Sequence, residues 1–82
     1  MTDTVFSKHA LDMMEERNIL ETWIRRALDE SDNTFISDDG NLHFTKVITE
    51  KENRILHVVV NPAVSPQRIV TLFFDRRLRS TA

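Results

Sequence analysis

The sequence predicts an α+β protein: two N-terminal helices packed on one face of a four-stranded antiparallel sheet. Three observations carry that expectation. Apolar residues recur at helical spacing through the first thirty residues, then switch to alternation from Thr34 onward. The later runs are rich in β-branched and aromatic side chains. Turn residues (Asp38-Asp39-Gly40-Asn41, Lys51-Glu52, and Asn61-Pro62 with Pro66) divide the second half into four such runs.

The first helix is expected over roughly residues 8–17. Ser7 is a good N-cap, and Phe6 and Leu11 occupy the positions of a hydrophobic staple. On a helical wheel Ala10, Met14, Met13 and Leu11 form the buried stripe, and Arg17 falls within it, about 20° from Ala10. His9 sits on the margin, about 100° away. Asn18 tolerates the left-handed conformation that ends helices, and Ile19 can fold back on the last turn. Helix two follows over residues 20–30, with Trp23, Ile24, Ala27 and Leu28 as its apolar face and Arg25, Arg26, Asp29 and Glu30 solvated.

The strands are "TFIS", "LHFTKVIT", "RILHVVV" and "RIVTLFF". In the second, Leu42, Phe44, Lys46 and Ile48 share one face, and His43, Thr45, Val47 and Thr49 the other. A two-residue hairpin at Lys51 and Glu52 would set Lys46 opposite His57 and Ile48 opposite Ile55. Thr71 would share a face with Ile69 and Phe73. These pairings predict a polar row of Lys46, His57 and Thr71 across three strands, and they depend on register, because a one-residue slip exchanges the faces.

Composition sets bounds on function. Eighty-two residues, 40% apolar and 29% charged, suit one soluble domain with a core of about residues 5–76 and a tail of 77–82. The chain has no apolar run of membrane-spanning length and no signal-peptide pattern, so a cytoplasmic protein is the default expectation. With no cysteine there is neither a disulfide nor a thiolate metal site. Residues 1–40 hold 4 Lys/Arg and 10 Asp/Glu, net −6; residues 41–82 hold 7 and 3, net +4. A pI near 5.9 argues against non-specific coating of nucleic acid but leaves room for a local basic surface that positions a phosphate.

No nucleotide loop, zinc spacing or nucleophile elbow is present, and His9, His43 and His57 form no local ligand motif. His9 is either a rim imidazole or a proton-transferring group suited to neutral pH. Arg17, on a buried stripe, must pair, snorkel or bind a carboxylate or phosphate. The row of Lys46, His57 and Thr71 is either a site or a set of fillers chosen for sheet packing. At the end, "FFDRRLR", with Asp75 beside Arg76, Arg77 and Arg79, is either a charged edge or a phosphate-positioning patch in which Asp75 holds an arginine in place.

The stretches "FSKHALDMMEERNI", "RILHVVV" and "IVTLFFDRR" resemble a small bacterial family, domain of unknown function 4258, over about residues 5–79. Relative to that family Asn18 replaces a usual glycine, and Leu20 replaces the usual Ser or Thr that caps helix two. The family's layout is similar to the fold shared by barnase-like, EndoU-like and colicin-type ribonucleases and the RelE and ParE toxins. The resemblance implies metal-independent RNA cleavage without a cofactor, in which the 2′-hydroxyl attacks the adjacent phosphate. By that analogy His9 supplies the base or acid, Lys46, Arg17 and Arg54 positive charge, and Thr71 a hydrogen bond, with His57, Arg76 and Arg77 as further substrate contacts. RNA and an antitoxin or immunity protein are the implied partners. The alternatives are a non-enzymatic protein-interaction module using the open sheet face or edge, and a small-anion or phosphate-binding domain.

Overall fold

The computed structural model describes residues 4–75. In order it contains strand β1 (Thr4–Phe6), helix α1 (Lys8–Arg17), helix α2 (Glu21–Asp29), and strands β2 (Asn33–Ile36), β3 (Leu42–Ile48), β4 (Arg54–Asn61) and β5 (Gln67–Phe74). A single 3₁₀ turn, Thr49–Lys51, joins β3 to β4. The tail arginines Arg76, Arg77 and Arg79 lie outside the described residues.

The helices form where the sequence places them. Ser7 caps α1 by accepting the Ala10 N–H at 3.0 Å, and its hydroxyl donates to the Val70 carbonyl at 3.1 Å, tying the helix to β5. Asn18 ends α1 in the left-handed conformation, φ 55°, and the Ile19 N–H folds back on the Met14 carbonyl at 2.9 Å. Helix α2 begins at Leu20 without a side-chain cap. Its apolar face of Trp23, Ile24 and Ala27 is buried against Ile48, Leu56, Val58, Val60, Ile69 and Leu72. Burial of this cluster is the main driving force for folding, each fully buried aliphatic side chain contributing about 1.5–3 kcal/mol.

The sheet is not four-stranded and antiparallel. It has five strands in the order β1-β5-β4-β3-β2, and β1 runs parallel to β5, with Val5 opposite Arg68 and Phe6 opposite Ile69. The mixed sheet arises because the three residues before the N-cap dock on the edge of β5. A run that short carries no alternation to read, and its partner lies more than sixty residues further along the chain.

The β3–β4 register also differs from the hairpin expected at Lys51-Glu52. The 3₁₀ turn is followed by Glu52 and Asn53, both left-handed (φ 58° and 61°), which lengthens the connection. Lys46 therefore pairs with Leu56, Thr45 with His57 and His43 with Val59. A second departure is the irregularity at Val59/Val60, where β4 pairs Val59 with Thr71 but Val60 with Ile69, leaving Val70 as the extra residue. Ile69 thus joins the core, while Thr71 and Phe73 share the opposite face; the expected face-sharing of Ile69 and Thr71 does not occur. Together these shifts put Leu42, Phe44, Lys46, Leu56 and Val58 on the face covered by α2. His43, Thr45, His57, Val59, Thr71 and Phe73 occupy the other.

Candidate functional site

Two groups of polar side chains meet on that second face. The first is at the edge of β5. His9, exposed in the first turn of α1, places its Nε2 3.2 Å from the Thr71 hydroxyl. The contact exists because Ser7 anchors the start of α1 beside Val70, one residue from Thr71.

The second group is a chain of three. His57 and the terminal residue of the described segment, Asp75, are both buried, and His57 Nδ1 lies 3.1 Å from Asp75 Oδ2. His57 Nε2 lies 2.8 Å from His43 Nδ1. Local structure accounts for each placement. Asp75 follows β5 and its N–H donates to the Ile55 carbonyl at 2.8 Å, so the carboxylate arrives alongside the start of β4. His43 and His57 are diagonal neighbours on adjacent strands, a relation that brings long side chains into reach. Phe35 stacks on His43 at 4.7 Å and Phe73 on His57 at 4.9 Å, fixing both rings.

The proton arrangement follows from donor and acceptor capacity. An ionised carboxylate only accepts, so His57 Nδ1–H donates to Asp75. In that tautomer the His57 Nε2 accepts from His43 Nδ1–H. The chain ends at His43 Nε2, which is buried and has no hydrogen-bond partner among the described residues. Burial, then the neighbouring His57, hold the His43 imidazole below the usual histidine range, against a smaller opposing pull from Asp39. The arrangement is a carboxylate–imidazole–imidazole relay with its basic end at His43.

The two groups share a row. His43 pairs with Val59, and Val59 with Thr71, so the basic end of the relay and the His9–Thr71 contact flank Val59 across three strands. At an inter-strand spacing near 4.8 Å, the outer two backbones are about 10 Å apart.

Other expected site residues are placed elsewhere. Lys46 is on the α2 side of the sheet and binds Asp32 at 3.4 Å, so the row of Lys46, His57 and Thr71 does not form; the one-residue difference in register is the reason. Arg17 is exposed, not buried, because the stripe of α1 narrows to Ala10, Met13 and Met14 before the helix ends. Leu11, expected within that stripe, is 51% exposed. Arg54 opens β4 and is exposed, on the Ile48 side. Of the three catalytic residues expected, His9, Lys46 and Thr71, the fold brings together His9 and Thr71.

His43 and Asp75 were not expected as proton-handling residues. The signal that finds His43 is the parity of positions 43 and 57: given the observed β3–β4 pairing they share a face, whereas the two-residue hairpin separates them. A cleft of about 150 Å³ between α2 and the strand ends is lined by Arg25, Asp29 and Gln67 among others, and Arg25, its one cation among the described residues, is bound to Glu21 at 2.9 Å. That pairing, with Asp29 alongside, disfavours an anion there. Among the described residues no cluster of three or more metal-ligating side chains occurs, and no helix is long and apolar enough to cross a membrane.

A family model described as domain of unknown function (DUF4258) matches residues 6–74, nearly the whole of the described chain. No curated protein and no solved structure matches the chain.

Proposed function

The chain belongs to the family of domain of unknown function 4258, and from that premise we propose that it is a metal-independent ribonuclease of toxin type, cleaving RNA by transesterification at a phosphate. The observation that carries this reading is the His9 Nε2–Thr71 Oγ1 contact of 3.2 Å, with His9 exposed, on the sheet face that also holds the buried imidazole relay. The sequence's likeness to the RelE, barnase, EndoU and colicin-type group belongs to the same proposal, as does an antitoxin or immunity partner.

In this reaction His9, held by Thr71, takes the proton of the RNA 2′-hydroxyl as its oxygen bonds to phosphorus. The bond from phosphorus to the 5′-oxygen breaks, and the leaving oxygen is protonated from water. The products are a 2′,3′-cyclic phosphate and a 5′-hydroxyl. The negative charge that develops on the phosphorane calls for cations, a role this proposal gives to Arg17 and, from sequence alone, to Arg76 and Arg77, which lie outside the described residues.

The test is incubation of mixed RNA with the wild-type, His9→Ala and Thr71→Val proteins, with and without EDTA, scoring cyclic-phosphate ends. The expected result is EDTA-resistant cleavage, slowed about 10²–10⁴-fold by His9→Ala, the usual contribution of one proton-transfer group. Equal cleavage by wild type and His9→Ala, or none by wild type, overturns the reading.

A further inference from the structure

We propose that strand β2 is a docking edge for an extended segment of a partner protein, apolar and β-branched at its centre and carrying Lys or Arg at both ends. The inference stands apart from the ribonuclease reading. Strand β2 pairs only with β3 and closes one side of the sheet, so its outward backbone groups are unpaired among the described residues. All four of its residues are exposed, including Phe35 at 48% and Ile36 at 69%. Proteins usually protect such an edge with a charge, a proline or a bulge within the strand. Asn33–Ile36 has none of these.

Charge selects the occupant. Between Ala27 and Thr45 the chain holds Asp29, Glu30, Asp32, Asp38 and Asp39 and not one Lys or Arg. Carboxylates therefore bracket the strand at both ends; Asp32 already meets Lys46 at 3.4 Å, while Glu30 and Asp38 have no ion-pair partner among the described residues. A second copy is disfavoured by the same charges. Antiparallel self-pairing about Phe35 sets Asp32 opposite Asp38, and a slip by one sets Glu30 opposite Asp39, and directly opposed like charges are destabilising. A basic-ended strand meets the same carboxylates with opposite sign. Its backbone completes the ladder, and its central side chains cover Phe35 on one face and Ile36 on the other, the mode of strand addition.

The test uses fluorescein-labelled extended peptides with the centre Val-Thr-Val-Ile-Thr, ending in two Lys at each end or in two Glu. Anisotropy is read with the full chain, and amide shifts are mapped by NMR. The Lys-ended peptide is expected to bind with shifts centred on Asn33–Ile36, at least about tenfold tighter than the Glu-ended one, and more weakly as salt rises. Ile36→Lys and Asp38→Lys, both at exposed positions, should each weaken binding while leaving the circular dichroism spectrum and any RNA cleavage unchanged. Equal binding of the two peptides, or no shift in β2 at millimolar peptide, overturns the proposal. So does concentration-dependent self-association in sedimentation with shifts at β2, which would assign the edge to a second copy.

Discussion

His57 and Asp75, eighteen residues apart in sequence, meet at 3.1 Å in the interior of the sheet's second face, both nearly inaccessible to solvent. The pair holds the His57 ring with Nδ1 on the carboxylate and Nε2 2.8 Å from His43 Nδ1. Replacing Asp75 with Ala leaves the His57 N–H buried without that acceptor. The expected loss is about 1–3 kcal/mol, the cost of an unsatisfied buried group. Urea denaturation measures it, and disappearance of a slowly exchanging imidazole N–H resonance reports the broken bond directly.

Protonation of His43 is the acid-sensitive step of the relay. Its folded pKa lies below the unfolded value, so the folded state resists taking the proton. Stability attributable to this residue is complete above the unfolded pKa of about 6.5 and declines as pH falls from there through the lower folded value. The melting temperature should therefore drop over that interval. His43→Asn keeps an N–H near the Nδ1 position without a titrating ring, and should flatten this part of the profile. A profile unchanged by the substitution counts against a relay ending at His43.

At lower pH a different pair takes over. Two hydrogen bonds of 2.9 Å from Arg26 to the Glu50 carboxylate tie α2 to the 3₁₀ turn. These bonds, with backbone and Thr49 support, push Glu50 down from 4.5 to about 2. Its contribution is present above pH 4.5 and is lost as pH falls toward 2. Glu50→Gln should remove that part of the acid transition, leaving the region near pH 6 untouched. The pair is solvent-exposed, so raising salt should shrink the difference between variant and wild type.

Leu20 is an opportunity for stabilisation. It occupies the N-cap of α2 with no side-chain hydrogen bond, and its own side chain is mostly in solvent. Asp at this position supplies an acceptor for the first-turn N–H groups and a negative charge at the helix N-terminus. Leu20→Asp should gain about 1 kcal/mol, or about 4–8 °C in melting temperature for a domain of this size. Calorimetry decides it.

Ser7 tests the link between helix and sheet. Ser7→Ala removes both the cap of α1 and the bond to Val70, with an expected loss of about 1–2 kcal/mol. Because that bond sets where α1 starts, the His9 resonance should lose its sensitivity to Thr71→Val in the same variant.

Local signals were sufficient for everything that depends on near neighbours. The periodicity of Ala10, Met13 and Met14, the cap at Ser7 and the stop at Asn18 determined α1; Trp23, Ile24 and Ala27 determined the helix face that makes the core. Alternation in "LHFTKVI" sorted its side chains into two sets, and Gly40, at φ 86°, marked the turn before them. The placement of His9 at the rim of its helix was also legible. What the alternation could not say was which set meets which on the next strand. That was decided by a 3₁₀ turn with two left-handed residues and by one extra residue at Val70, each worth a single step of register. A single step reverses a face, so Lys46 went to the helix side and His43 joined His57. Strand β1 and Asp75 beside His57 were likewise settled by packing between segments distant in the chain, where no local pattern reaches.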